Sequence, residues 1–191
     1  MDLAQTIALS AGLAWASGLR LYLVVFLAGV LAHFGYLHLP DTLSMLQNPL
    51  VIGVAGIMAF AELIADKVPA FDSLWDTVQT FIRIPAGALL AAFALGDVDP
   101  AWMVAAGLIG GTITAGTHFA KAGSRLAINT SPEPFSNWIA SFGEEGMVLA
   151  GLWAMLASPL VFLGLRAIFL IVAGFLLVRL WGFLGRLFRR V

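Results

Sequence analysis

Cysteine is absent from the 191 residues of this chain, and charged residues are scarce. Without a thiol the chain cannot form a disulfide, a thiolate nucleophile, an iron–sulfur cluster or a cysteine-ligated zinc site. Lysine and arginine number 10 and aspartate and glutamate 11, so the net charge of −1 disfavours a nucleic-acid partner. A soluble domain of this length needs far more charge to cover its surface.

Apolar residues are what the chain has in abundance, at 61% of the sequence. They form runs long enough to cross a bilayer, because roughly 20 residues at about 1.5 Å rise span a ~30 Å core. Lipid offers no partner to an unpaired backbone group, so each crossing is expected to be a helix. The start Met1-Asp2-Leu3 lacks the basic region of a cleaved signal peptide, and the first apolar run is expected to stay in the mature protein.

The pattern predicts an all-α integral membrane protein with about six transmembrane helices. The first run is too long for one perpendicular helix, and a break is predicted near Ser17-Gly18. The third is short unless it includes Thr80–Ile84. The turn between the last two is placed near Ser158-Pro159 or at Gly164–Arg166. The predicted runs are Leu3–Leu37, Pro49–Ala65, Pro85–Leu95, Ala101–Ala120 and two within Trp138–Gly185.

The positive-inside rule predicts the orientation. If the first run crosses once, most basic residues belong to one side, which also holds both termini, and that side is expected to be cytoplasmic. We predict one multi-pass domain over 1–185 and a basic cytoplasmic tail over 186–191. The basic residues on the shared side are Lys67, Arg83, Lys121, Arg125, Arg179, Arg186, Arg189 and Arg190.

About half of the charged residues lie in two stretches, Glu62–Arg83 and Lys121–Glu145, each between apolar runs. The stretches resemble each other weakly, which predicts two parallel repeats about an axis normal to the membrane. Each stretch contains an amphipathic segment. That segment either lies in the headgroup region with its aromatic residues buried or re-enters the membrane toward a polar cavity.

Charge at membrane depth marks the candidate site, because an ionised group there costs several kcal/mol. Glu62 and Asp66 share one helical face, and His118, Lys121 and Arg125 share another, so an acidic face can meet a basic one. Arg20 lies deep in the first run and needs a partner such as Glu62, Glu144 or Glu145. Candidates for a substrate or ion pathway are Arg20, Glu62, Asp66, His118, Lys121, Arg125, Asn137 and Glu144, although Asn137 also suits a turn or cap.

Enzyme signatures are missing from the sequence, and we expect no catalytic residue, metal or cofactor. His33, His38 and His118 are too scattered to define a metal site. Asp66, Asp72 and Asp76 could bind Mg²⁺ for phosphate chemistry, and one alternative is a Mg²⁺-dependent membrane enzyme acting on a phosphorylated lipid through Asp72 and Asp76.

Several motifs together resemble a known family, the bacterial membrane proteins grouped as domain of unknown function 4126. The match runs in order over most of the chain to about Pro159. The resemblance implies a small multi-pass protein of the bacterial inner membrane and no established activity. Its motifs are Ala16-Ser17-Gly18-Leu19-Arg20, the run from Glu62 to Asp76, Gly96-Asp97-Val98-Asp99-Pro100, and Ser136-Asn137 followed by Glu144.

The first functional hypothesis is a small transporter, channel or lipid-handling protein with a cytoplasm-facing polar vestibule for a charged solute or lipid headgroup. A homodimer would help to enclose the path, and glycines at 107, 110, 111 and 116 would allow close helix packing. The alternative is a non-catalytic assembly or scaffold protein whose charges are structural ion pairs.

Overall fold

A computed structural model of the chain describes residues 1–129, 135–169 and 171. The described part contains six α-helices and one 3-10 helix, Asp41–Gln47, and no strand. The predicted tail at 186–191 and the end of the last predicted crossing lie outside the described residues. The α-helices are α1 Leu3–His33, α2 Pro49–Ala65, α3 Pro69–Phe93, α4 Pro100–Ile128, α5 Phe135–Ala157 and α6 Pro159–Phe169.

The helices begin where local sequence signals place them. Asp2 and Gln5 form a capping box at the start of α1. The side chains of Asn48 and Asp99 cap α2 and α4, and α2, α3 and α4 each have a proline in the first turn, where no backbone donor is lost. These signals explain why the predicted run Pro49–Ala65 coincides with α2.

The first apolar run breaks at Arg20, whose backbone angles of φ −147° and ψ 74° are not helical. The predicted break at Ser17-Gly18 is therefore close but two residues early. Ser10 donates to the carbonyl of Ala91 at 2.8 Å, and Thr42, beyond the end of α1, donates to the carbonyl of Phe93 at 2.5 Å. Both halves of α1 therefore point toward the C-terminal end of α3, and α1 is a helical hairpin with Arg20 at its apex.

This hairpin corrects the predicted topology. Arg20 lies against Asp66, in the connection between α2 and α3, whereas Met1 and Tyr36 lie together at the other end of the molecule. We call the Arg20 end the apex end and the other the far end. The N-terminus is at the far end and the α2–α3 connection at the apex end, so the prediction that they share one side is wrong.

Three helices, α1, α4 and α5, are long and apolar enough to cross a membrane, and a fourth span results if the 3-10 helix and α2, bent by 67°, count as one. The turn between α5 and α6 falls at Ser158-Pro159 as predicted, while the alternative, Gly164–Arg166, lies inside α6. The predicted amphipathic segment of the first polar stretch and the third apolar run form one continuous helix, α3.

Three helices bury polar side chains and expose many apolar ones. On α4 the buried residues are Gly110, Thr114, His118, Lys121 and Arg125. Near the apex end, apolar side chains of α3 and α5 such as Phe81 and Ile139 are exposed, while polar side chains such as Arg83 and Asn137 are buried. Water would not favour this arrangement, but hydrocarbon does, so the outer surface indicates a lipid-facing protein.

Close packing of α4 against α1 and α3 depends on small residues. A Cβ at Gly18 would lie 2.6 Å from the carbonyl oxygen of Thr114, and one at Gly110 would overlap the Cβ of Ala91. A Cβ at Gly111 would press on Ala88 at 3.2 Å. Glycines that we expected at a dimer interface are thus used within the chain, apart from Gly116, for which no described residue lies within 4 Å of an added Cβ.

Candidate functional site

Eight charged side chains from five helical regions meet at the apex end. Each is at most 6% exposed. Four are cations and four are carboxylates, so the formal charges cancel, which is the condition under which buried ions are tolerated. We call this set the charge cluster; its members are Arg20, Glu62, Asp66, Asp76, Arg83, Lys121, Arg125 and Glu144.

Arg20 lies at the centre of the charge cluster. Its Nη1 is 2.7 Å from Asp66 Oδ2, and its Nη2 is 3.1 Å from Glu144 Oε2 and 2.8 Å from Ser141 Oγ. Glu145, at 3.6 Å, is a more distant partner. Of the three partners proposed from the sequence, the two on α5 are found, while Asp66 occupies the place expected for Glu62.

The acidic end of α2 meets the basic face of α4, as the sequence predicted. Lys121 Nζ lies 3.2 Å from Asp66 Oδ2 and 3.7 Å from Glu62 Oε1. Arg125 binds Glu144 with two nitrogens, at 2.8 and 3.1 Å, and reaches Asp66 at 3.2 Å. Burial acts to raise the pKa of Asp66, but Lys121, Arg20 and Arg125 together hold that pKa below its ordinary value.

A third group of contacts comes from α3. Arg83 pairs with Glu62 and lies 3.1 Å from Asp76. It also donates to His118 Nδ1 at 3.1 Å. A guanidinium can only donate, so Nδ1 accepts and the imidazole is neutral with its proton on Nε2. That proton is donated to Thr80 Oγ1 at 2.7 Å, since the hydroxyl of Thr80 itself donates to the backbone of Asp76.

Arg83 and Asp76 are the members that the sequence interpretation missed. The sequence does contain a signal for them, because Asp72, Asp76, Gln79 and Arg83 follow one another at helical spacing and all are buried. Of the two alternatives that the sequence left open for this segment, a helix lying on the membrane would bury the apolar face instead. In a helix that packs inside a bundle in lipid, the polar face is the one turned inward.

Asn137 and Asp72 lie next to the charge cluster. Asn137 accepts from Arg125 through its carbonyl oxygen at 3.0 Å and its side-chain oxygen at 3.3 Å. It is thus a structural ligand of an arginine rather than only a cap. Asp72 accepts from the Asn129 side chain at 2.8 Å.

Three carboxylates of the cluster each keep one oxygen without a hydrogen-bond partner among the described residues: Glu62 Oε2, Asp66 Oδ1 and Asp76 Oδ2. Buried polar atoms are normally paired, so each such oxygen calls for an explanation. These atoms give the cluster spare capacity to accept a proton.

The described residues contain no group of three or more histidine or acidic side chains arranged to hold a metal ion. Asp66 and Asp76 face cations, and Asp72 faces Asn129. The geometry therefore does not favour Asp66, Asp72 and Asp76 as the magnesium ligands of a membrane enzyme.

These features define a helical membrane protein that buries a neutral charge cluster at the apex of a broken helix. The family described as Domain of unknown function (DUF4126) matches residues 7–179, and the chain belongs to it. The matched range includes the whole charge cluster and confirms the resemblance drawn from the sequence motifs. No curated protein and no solved structure matches the chain.

Proposed function

We propose that this protein is a small membrane transporter that carries protons together with an anion at the charge cluster. The observation that carries the proposal is the set of four cations and four carboxylates, almost fully buried, on helices whose outer surfaces are apolar. Charge at membrane depth is expensive and marks substrate or ion pathways in membrane proteins.

The break in α1 supports this proposal. Transporters place their binding sites at interrupted helices, where the freed backbone groups face the site. The interruption at Arg20 leaves the carbonyl of Leu19 available, and Lys121 Nζ donates to it at 3.3 Å. Lys121 therefore binds both a carbonyl oxygen at the helix interruption and the carboxylates of the cluster.

Exchange of partners supplies a mechanism. A proton taken up by Glu62 or Asp66 neutralises that carboxylate and leaves Arg83, Lys121 or Arg20 without full compensation. An uncompensated buried cation is costly, so the protonated cluster favours an entering anion. Release of the anion restores the internal ion pairs and expels the proton, which couples the two movements.

We infer that the cluster forms between two related copies, α2–α3 and α4–α5. Residues at 72, 76, 79 and 83 of α3 are buried, and so are residues at 137, 141, 144 and 148 of α5, with the same spacing of four, three and four. The positive-inside rule assigns the apex end, which carries Lys67, Lys121 and Arg125, to the cytoplasm. The N-terminus would then lie on the opposite side of what we take to be an inner membrane.

Flux in liposomes that contain the pH dye pyranine tests the proposal. Inward gradients of inorganic phosphate, of acetate and of a fluorescent short-chain phosphatidylglycerol are applied in turn. We expect wild-type protein to acidify the lumen with at least one anion, and Glu62→Gln and Arg20→Gln to abolish that acidification. The double variant Glu62→Gln/Arg83→Gln removes a whole ion pair and is expected to be folded but inactive.

Lys67→Gln is the matched control, because Lys67 lies at the apex end but contacts Phe142 rather than the charge cluster. It should keep wild-type flux. Wild-type protein that behaves like empty liposomes with every anion would overturn the proposal, as would normal flux in Glu62→Gln.

The scaffold hypothesis is the second candidate, and it is favoured by the pairing of every cluster cation with at least one carboxylate. Wild-type protein and the double variant Glu62→Gln/Arg83→Gln together separate the two hypotheses. A scaffold requires that wild-type protein carry no flux and that the double variant recover the thermal stability lost in Glu62→Gln. A transporter requires flux in wild-type protein and none in the double variant, although the double variant recovers its stability.

A further inference from the structure

A groove with a volume of about 1160 Å³ runs beside the charge cluster. Residues of α1, α4, α5 and α6 line it. We call it the lateral groove. Trp153 and Phe169 on its rim are 70% and 50% exposed, so molecules in the surrounding membrane can reach it. At its apex end it borders Lys121 and Glu144 of the charge cluster.

Arg166 of α6 lies within the otherwise apolar part of the lateral groove. Its guanidinium carbon stacks 3.3 Å above the ring of Trp15 and lies 5.1 Å from that of Phe162. Among the described residues no carboxylate lies within ion-pair distance of Arg166, and its Nε has no hydrogen-bond partner. Every cation of the charge cluster, in contrast, has a carboxylate.

Gly151 makes room for this stack. A Cβ at Gly151 would lie 2.5 Å from the ring of Trp15 and 3.2 Å from Arg166 Nη2. The guanidinium is therefore held in a defined position, and among the described residues its nitrogen edge has no ion-pair partner. A planar guanidinium on an aromatic ring can still accept an anion in its own plane.

The charge and shape of the groove together select its ligand. A cation in apolar surroundings gains most from an anionic partner, and the length of apolar wall beside it suits a hydrocarbon chain. A hydrophilic anion would pair with Arg166 but would leave the apolar wall without a ligand. A neutral lipid would cover the apolar wall but would not pair with Arg166.

We propose that the lateral groove binds an anionic phospholipid, with an acyl chain on the apolar wall and the phosphate at Arg166. The inference rests on the proposed transport function and names its substrate class: an anionic amphiphile that reaches Lys121 along the groove. Zwitterionic phospholipid, in which the phosphate is already neutralised by its own headgroup, is expected to bind more weakly.

Quenching of Trp15 by brominated acyl chains tests the inference. Trp15 is only 6% exposed and lines the groove, so chains in the bulk bilayer reach it poorly. A variant that keeps Trp15 and has phenylalanine at the other five tryptophans is placed in phosphatidylcholine liposomes. Either brominated phosphatidylglycerol or brominated phosphatidylcholine is added at equal mole fraction. We expect the anionic lipid to quench at least twofold more.

Arg166→Gln should abolish the preference and Arg166→Lys should keep part of it. Gly116→Leu adds a side chain to the groove wall, at a position with no neighbour within 4 Å in the part of the chain that the structure describes, and should reduce quenching by both lipids. Gly53→Leu, also free of neighbours but on α2, is the matched control and should change nothing. A variant that keeps only Trp102, 68% exposed on α4, should be quenched equally by both lipids.

Native mass spectrometry of the full wild-type chain provides a second readout that needs no tryptophan replacement. We expect phosphatidylglycerol to stay bound to wild-type protein and to Lys67→Gln, and to be lost from Arg166→Gln. Equal quenching of Trp15 by the two lipids, or no retained lipid preference, would overturn the inference. If the protein carries phosphate but shows no lipid preference, lipid binding in the lateral groove is wrong and transport stands. If it shows the lipid preference but carries no flux, transport is wrong and lipid binding stands.

Discussion

Glu62 shows how a single residue of the cluster depends on its partners. It is fully buried and pairs with Arg83 while Lys121 lies 3.7 Å away. Buried ion pairs gain little over a well-packed apolar core, but removing one partner leaves the other charge uncompensated. Each charge of the cluster is therefore stabilised by its partners. A substitution that removes one charge is expected to lower stability more than a double substitution that removes both members of an ion pair.

Glu62→Gln is predicted to lower the free energy of unfolding by about 3 kcal/mol, because Arg83 keeps only Asp76 as its carboxylate. Glu62→Gln/Arg83→Met should recover more than half of that loss. Thermal unfolding in detergent measures both, with Lys67→Gln as the neutral control. Additive losses in the double variant would contradict the pairing.

At the scale of the element, the helices show where sequence reasoning succeeds. Proline, asparagine and aspartate signals place the starts of α2 and α4, and the length of the first run with a polar residue inside it predicts a break. The residue that breaks and the direction of the second half could not be predicted, because contacts of Ser10 and Thr42 with α3 decide them. The inward face of α3 was misjudged, because periodicity identifies two faces without saying which one meets protein.

Gly110→Leu is predicted to destabilise the protein by about 1–3 kcal/mol, since the side chain would have to displace Ala91 and separate α4 from α3. Gly53→Leu, on a helix surface where no described residue lies within 4 Å, should leave the melting temperature unchanged within about a degree. Equal effects of the two substitutions would show that α3 and α4 do not pack through this glycine.

At the scale of the whole molecule, the hairpin of α1 changes the layout. Its two halves contribute much of the buried apolar core, and α2, α3, α4 and α5 pack around it. The hairpin carries Arg20 to the apex end, where the ends of α2 and α4 and the starts of α3 and α5 meet. Because α1 starts at the far end and turns at Arg20, it places Arg20 among the other members of the charge cluster.

Single cysteines test this layout without background, because the natural chain has none. Asp2→Cys and Asp97→Cys are predicted to react with a membrane-impermeant maleimide from one side, and Lys67→Cys from the other. A first run that crosses once would instead place Asp2 with Lys67. Labelling of intact spheroplasts, before and after permeabilisation, distinguishes the two layouts.

The sequence by itself determined the class of protein, the family, the position of several helix ends and most members of the charge cluster. These follow from composition, capping chemistry and the cost of charge in lipid, all of which are local. Only the tertiary structure decided that α1 folds back, that Asp76 and Arg83 complete the cluster, and that Arg166 stacks on Trp15 in the lateral groove. Those outcomes depend on contacts between residues as many as 151 positions apart, which no local pattern encodes.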